Sequence, residues 1–263
     1  MILCDQNDTP IMGGLELTKR ERRRARKAER QLELVGNAKP ELKEKPRRSK
    51  KVDIKPRNFR QRRLLAALRN EDNAIVFATG PAGTGKTLLA TLYAIQSLQE
   101  KAIRKIVIAR PAVSVEEQHG FLPGDINDKM MPWLLPILDI FEEYYHPEQV
   151  KQMIKDKVIE VAPLAYMRGR TFKDCIVILD EAQNTTPSQM KMMTTRIGDN
   201  CRLFVTGDGD QYDRGYSSNG LDDFTDRVQR LGSDSIAVIK FGGGDVERAP
   251  IVSEVLALYE DED

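Results

Sequence analysis

The chain has 263 residues, a size that suits one folded domain with or without a tail, and its formal charge is close to neutral at +1. That neutrality hides a split: residues 1–57 hold 17 Lys and Arg against 9 Asp and Glu, leaving 24 against 31 in the rest. Three cysteines without C-x-x-C spacing and two distant histidines exclude a disulfide framework, a thiolate metal site and a His-based triad. No apolar run approaches the length of a membrane span, so the compartment is read as cytoplasm.

Residues 1–57 are read as a flexible basic arm, with the folded domain expected over 58–263. The stretch 18–30 is almost continuously charged and has no apolar stripe, so it cannot bury a face. Such an arm is suited to non-specific, salt-sensitive contact with single-stranded RNA or DNA phosphates, or to plain solvation. A helix is expected over 58–69, with Leu64, Leu65 and Leu68 on one side. Gln61 stands about twenty residues before a glycine-rich turn, where a glutamine can read the adenine edge of ATP.

The apolar run 74–78 leads through Thr79 into Gly80-Pro81-Ala82-Gly83-Thr84-Gly85-Lys86-Thr87, and an apolar-periodic segment follows at once. Strand, glycine-rich turn and helix in that order are the context that makes G-x-x-x-x-G-K-[ST] a phosphate-binding loop. The glycines let main-chain N–H groups converge on an anion, and the helix adds its positive end. Lys86 is expected on the β- and γ-phosphates and Thr87 on Mg²⁺.

Further along, buried strands are expected at 105–109, 158–161, 175–179, 201–206 and 235–241. Helices are expected at 86–99, 187–197, 219–231 and 245–259. The stretch 113–154 reads as a loop and then an aromatic-rich helical insertion containing Trp133, Phe141, Tyr144 and Tyr145, and 166–171 as a polar turn with two arginines. The strand 175–179 ends in Asp180-Glu181, at the edge of an open sheet where ligands bind. Asp180 is expected to hold Mg²⁺ through water and Glu181 to polarise the attacking water, which separates a hydrolase from a simple kinase. In ATPases with that extra acid, the later strand lies between the phosphate-loop strand and the Asp-Glu strand. Asp208 and Gln211 at its tip would then sense the γ-phosphate, and Arg248 would reach a γ-phosphate in its own site or a neighbour's.

Taken together, several of these stretches resemble the PhoH-like family of bacterial and phage proteins. They are the phosphate loop, Arg110-Pro111-Ala112-Val113, Gly120-Phe121-Leu122-Pro123-Gly124-Asp125, the run 162–171, the run 178–187, Thr206-Gly207-Asp208 with Gln211, and Asp245-Val246-Glu247-Arg248. The likeness runs in order from residue 58 to the end; Ala249 departs from the family's usual His. The resemblance implies a cytoplasmic, ATP-binding, RecA-like doubly wound α/β domain akin to superfamily-one helicase cores. The expected activity is Mg²⁺-dependent ATP hydrolysis coupled to RNA or DNA, with an ATP-gated binding or scaffold protein as the alternative. One such domain supplies one wall of a helicase-type site, so a homo-oligomer is expected, a hexameric ring in which Arg248 serves the neighbour.

Overall fold

The computed structural model describes residues 49–111, 135–209, 211, 219–247 and 251–252. The expected helix at 58–69 is α1 (Phe59–Arg69), started by Asn58, whose side chain accepts a hydrogen bond from the Gln61 N–H at 2.9 Å. Then come β1 (Ile75–Thr79), α2 (Lys86–Gln99), β2 (Lys105–Arg110), helical residues 135–142 and α3 (Pro147–Lys155). After them follow β3 (Ile159–Pro163), β4 (Cys175–Leu179), α4 (Pro187–Thr194), β5 (Cys201–Gly207), α5 (Gly220–Leu231) and β6 (Ile236–Lys240).

All five strand pairings are parallel, and the order is β3-β2-β4-β5-β1-β6. β5 therefore lies between the phosphate-loop strand and the Asp-Glu strand, as expected. Parallel neighbours need crossover connections, and the crossovers cover both faces. The strands consequently read as apolar without interruption, and successive residues feed opposite cores. Ile106, Ile108, Ile176 and Ile178 join one core with Leu64, Leu65 and Leu68 of α1 and Leu89 and Ile95 of α2. Val107, Ala109, Val177 and Leu179 join the other, with Leu164, Met167, Met190, Met193 and Leu221.

Three boundaries differ from expectation. Val52 and Ile54 are buried in the first core, so packing begins ahead of residue 58; burying even two such side chains is worth a few kcal/mol, roughly, which outweighs the charge of the lysines around them. α4 stops at Thr194, and the main-chain N–H of Phe172 pairs with the Arg196 carbonyl instead of extending the helix. Asp245 closes a 3-10 turn (Gly243–Asp245) rather than opening a long helix; residues 251–252 are helical, and 253–263 lie outside the described residues. In the insertion, Phe141 and Tyr144 join the first core, while Trp133 lies outside the described residues. Cys175 and Cys201 are free and buried, and no described helix is long and apolar enough to cross a membrane.

Candidate nucleotide site

β1 ends at Thr79, and the turn behind it uses left-handed backbone at Gly80 (φ 128°), Gly83 (φ 81°) and Gly85 (φ 82°). At Gly80 glycine is also a steric requirement, because a Cβ there would sit 2.3 Å from the Phe241 carbonyl oxygen. α2 starts on Gly85, which has no side chain to cap the amides of its first turn. That is the open, positively polarised helix end an anion requires.

The loop is braced from outside. Gln61 is buried; its amide nitrogen donates to the Thr84 carbonyl at 3.0 Å and its amide oxygen accepts from the Arg57 N–H at 2.8 Å. It is thus no loosely exposed helix residue, and it keeps one N–H and one lone pair in reserve. Behind β6, the Glu247 N–H donates to the Gly83 carbonyl at 3.0 Å, and the Asn58 side-chain amide donates to the Asp245 carbonyl at 3.1 Å.

Lys86 is buried, and its ammonium donates to the loop's own carbonyls, Gly80 at 2.6 Å and Pro81 at 2.7 Å. Burial holds it below the ordinary lysine pKa, against the opposing pull of Asp208, Glu181 and Asp180. Asp208 is itself buried, so three carboxylates from β4 and β5 converge on this one cation.

Asp180 is nearly inaccessible. Its Oδ1 accepts from the Thr87 hydroxyl at 2.8 Å and the Thr206 hydroxyl at 2.7 Å. Its Oδ2 accepts from Arg110 Nε at 2.9 Å and Nη2 at 2.5 Å. Neighbouring Glu181 takes a left-handed backbone (φ 55°, ψ 40°), which costs a non-glycine residue roughly 1–2 kcal/mol. Its side chain stays 48% exposed and so remains open to water. One Glu181 oxygen accepts from the Gln183 amide at 2.7 Å, and the other lies 3.9 Å from Arg110. Buried Gln183 also accepts from the Asp208 N–H at 3.1 Å, tying the tip of β4 to the tip of β5.

The structure therefore gathers Lys86, Thr87, Asp180, Glu181 and Asp208 around one loop, with Gln61 behind it. Gln211 is exposed and tied by its N–H to the Asp208 carbonyl at 3.1 Å, and Arg248 lies outside the described residues. Two further residues, Arg110 and Gln183, belong to the site although the sequence reading gave them no role.

Among the described residues no group of three or more His, Cys, Asp or Glu could hold a metal alone. The fit is instead to Mg²⁺, which takes one or two carboxylates and completes its shell with phosphate and water. The Thr87 hydroxyl and the Asp180 carboxylate, already in contact, are such a pair.

A parallel sheet of this order, with a loop of phosphate-binding sequence between β1 and α2 and paired acids at the tip of β4, is a P-loop, RecA-like α/β fold. The chain belongs to the PhoH-like protein family, whose sequence model matches residues 53–260. It is 42% identical over 214 residues to a PhoH-like protein of Bacillus subtilis, covering 81% of this chain and 66% of that one. It is 44% identical over 207 residues to a PhoH-like protein of Mycobacterium tuberculosis, covering 78% of this chain and 58% of that one. The chain thus spans about three-fifths of the length of these relatives. Among solved structures, the Sulfolobus solfataricus SWI2/SNF2 ATPase core in complex with dsDNA aligns with 74% of this chain and 47% of its own. Its TM-score is 0.40 at 13% identity, too distant to bear on function.

Proposed function

We propose that this protein is a Mg²⁺-dependent ATPase whose turnover is coupled to binding or remodelling of single-stranded RNA or DNA in the cytoplasm. The observation that carries this reading is the contact of Thr87 with Asp180 at the mouth of the loop, with Glu181 beside it and open to water. Thr87 and Asp180 would hold the ion; bound Mg²⁺ supplies neutralisation of the β- and γ-phosphate charge. Lys86 trades the Gly80 and Pro81 carbonyls for phosphate oxygens. Glu181 takes the proton of the attacking water, with Gln183 fixing its carboxylate. Asp208, whose carboxylate acts on the Lys86 ammonium, and Gln211, tied to it through the main chain, would sense the γ-phosphate, and Gln61 would use its spare N–H and lone pair on the base. Glu247 is tied to the phosphate loop, which supports Arg248, the next residue, as the arginine that completes a site, in trans within a hexameric ring.

The Arg110 guanidinium on Asp180 favours a second reading, an ATP-gated nucleic-acid-binding or scaffold protein with little basal turnover. Phosphate release from ATP, with and without single-stranded RNA, separates the two. The ATPase reading expects Mg²⁺-dependent release that RNA stimulates and that Glu181→Gln abolishes while ATP stays bound. Release that survives Glu181→Gln overturns the assignment of the base. ATP binding without release, with or without RNA, leaves the second reading. A native mass measurement in ATP that shows only monomer removes the ring.

A further inference from the structure

On the face of the sheet covered by α4 and α5, a groove of about 460 Å³ runs between α4 and the turn that follows the 3-10 helix Leu164–Met167. Arg168 and Gly169 line it from the turn, and Ser188, Lys191, Met192 and Arg196 from α4 and its end. None of them belongs to the nucleotide site. The lining brings three cations and no carboxylate. Arg168 and Lys191 are exposed and make no ion pair or side-chain hydrogen bond among the described residues, and Arg196 donates only to the Met192 carbonyl and the Thr195 hydroxyl.

The neighbouring Arg170 shows how differently a structural arginine is placed. It grips Glu160 with both guanidinium nitrogens, at 2.5 and 3.1 Å, and lies over the Phe172 ring. Only Gly169 separates it from Arg168. Three uncompensated cations around one groove repel each other and attract a polyanion. Ser188, Lys191 and Met192 share one side of α4, so two polar groups and an apolar floor face the same way. Gly169 has φ 77°, and a Cβ there would meet nothing within 4 Å, so the main chain is open to close approach. Tyr166, 55% exposed, stands two residues before Arg168 and offers a flat ring.

We propose that this groove binds the sugar-phosphate backbone of a single strand of RNA or DNA, with Arg168, Lys191 and Arg196 on phosphates and Tyr166 stacking a base. Stacking beside a row of cations fits a single strand better than it fits an acidic peptide, which has no rings to stack. The proposal rests on the nucleic-acid-coupled reading above and gives it a location. It also gives a route to the chemistry. Glu181 leads through the 3-10 turn Ala182–Asn184 to Thr186, the cap of α4, and this short connection is pinned by the Thr185 hydroxyl on the Ala182 carbonyl at 2.7 Å and by the Gly220 N–H on the Thr185 carbonyl at 2.7 Å.

The test is fluorescence anisotropy of labelled oligo(U) and oligo(dT) with the full chain across a salt series. It compares wild type, the triple variant Arg168→Ala/Lys191→Ala/Arg196→Ala, the single exposed-site variant Lys191→Gln, and Tyr166→Ala. The triple variant is expected to weaken binding at least tenfold, roughly, at ordinary ionic strength and to flatten the slope of log K against log salt by about 2. Lys191→Gln, which removes only an exposed charge, is expected to flatten it by about 0.7. Tyr166→Ala is expected to weaken binding with the slope kept, and affinity for ATP is expected to stay unchanged in all of them. Wild-type binding with unaltered slopes in both charge variants places the strand elsewhere and overturns the groove while leaving the nucleic-acid reading intact. No binding by wild type removes both. Displacement of the labelled strand by polyglutamate at equal charge reassigns the groove to an acidic protein segment and overturns the proposal.

Discussion

Glu160 and Asp180 are both gripped by arginine, and their surroundings differ. At the edge of the sheet, Glu160 on β3 is held by Arg170 on one side and Lys105 of β2 at 2.5 Å on the other. Both its oxygens are consumed and its carboxyl is drawn down to about 2, first by the Arg170 hydrogen bonds. At the tip of β4, Asp180 has one oxygen on Arg110 and the other on two hydroxyls, while next to it Glu181 sits in strained backbone, half open to water. The first arrangement is closed. The second carries strain and exchangeable partners, which a structure sustains only where the surroundings enforce them. An ion pair alone therefore does not set the two apart; the hydroxyl donors, the strained acid and the adjoining glycine-rich loop do.

The comparison can be broken most forcefully at Glu181. Glu181→Gln is expected to lower single-turnover hydrolysis by about 10²–10⁴-fold with ATP affinity retained. An equal loss from Glu160→Gln would erase the distinction. Next in size, Lys86→Ala is expected to weaken ATP binding by roughly 100-fold, through loss of charge-assisted hydrogen bonds to phosphate, measured by titration of a fluorescent analogue. Gly80→Ala is expected to cost about 3 kcal/mol in chemical denaturation, because the added methyl meets the Phe241 carbonyl in backbone that already disfavours it.

The edge cluster makes its own prediction. Glu160 is held below its ordinary value of 4.5, so its stabilisation is complete above that value and is lost as pH falls toward about 2. Acid unfolding of the wild type is expected to show a slope between those values that Glu160→Gln lacks, on the order of 1–2 kcal/mol after solvent screening. The smallest expected effect is at Arg110. Arg110→Ala removes a competitor for the Asp180 carboxylate, so the Mg²⁺ needed for half-maximal nucleotide binding is expected to fall by about fivefold, on the order of 1 kcal/mol. A rise would show that Arg110 assists the metal site.

What was legible in the sequence was local. The glycine-rich loop, the Asp180-Glu181 pair and the uninterrupted apolar strands follow from residue type and spacing, and the strands lie in one parallel sheet as expected. What was not legible depended on which strands are neighbours. β2 pairs with β4 so that Ala109 lies opposite Leu179, and one step further Arg110 meets Asp180; nothing near Arg110 in the chain says so. The burial of Gln61 likewise depends on the Thr84 carbonyl, far along the chain. Val52 and Ile54 were within reach. They alternate with exposed charged neighbours in a period of two, a signal of a half-buried extended segment that the emphasis on basic charge obscured.

Beyond β6, the Phe241 N–H bonds the Thr79 carbonyl, and the Glu247 N–H bonds the Gly83 carbonyl. The cradle for the anion is therefore stitched to sequence more than 150 residues downstream. A version of this chain shortened from its carboxyl end to before Phe241 sheds both stitches, and any drop in ATP affinity it showed would report a slackened cradle before it reported the duty of the residues removed.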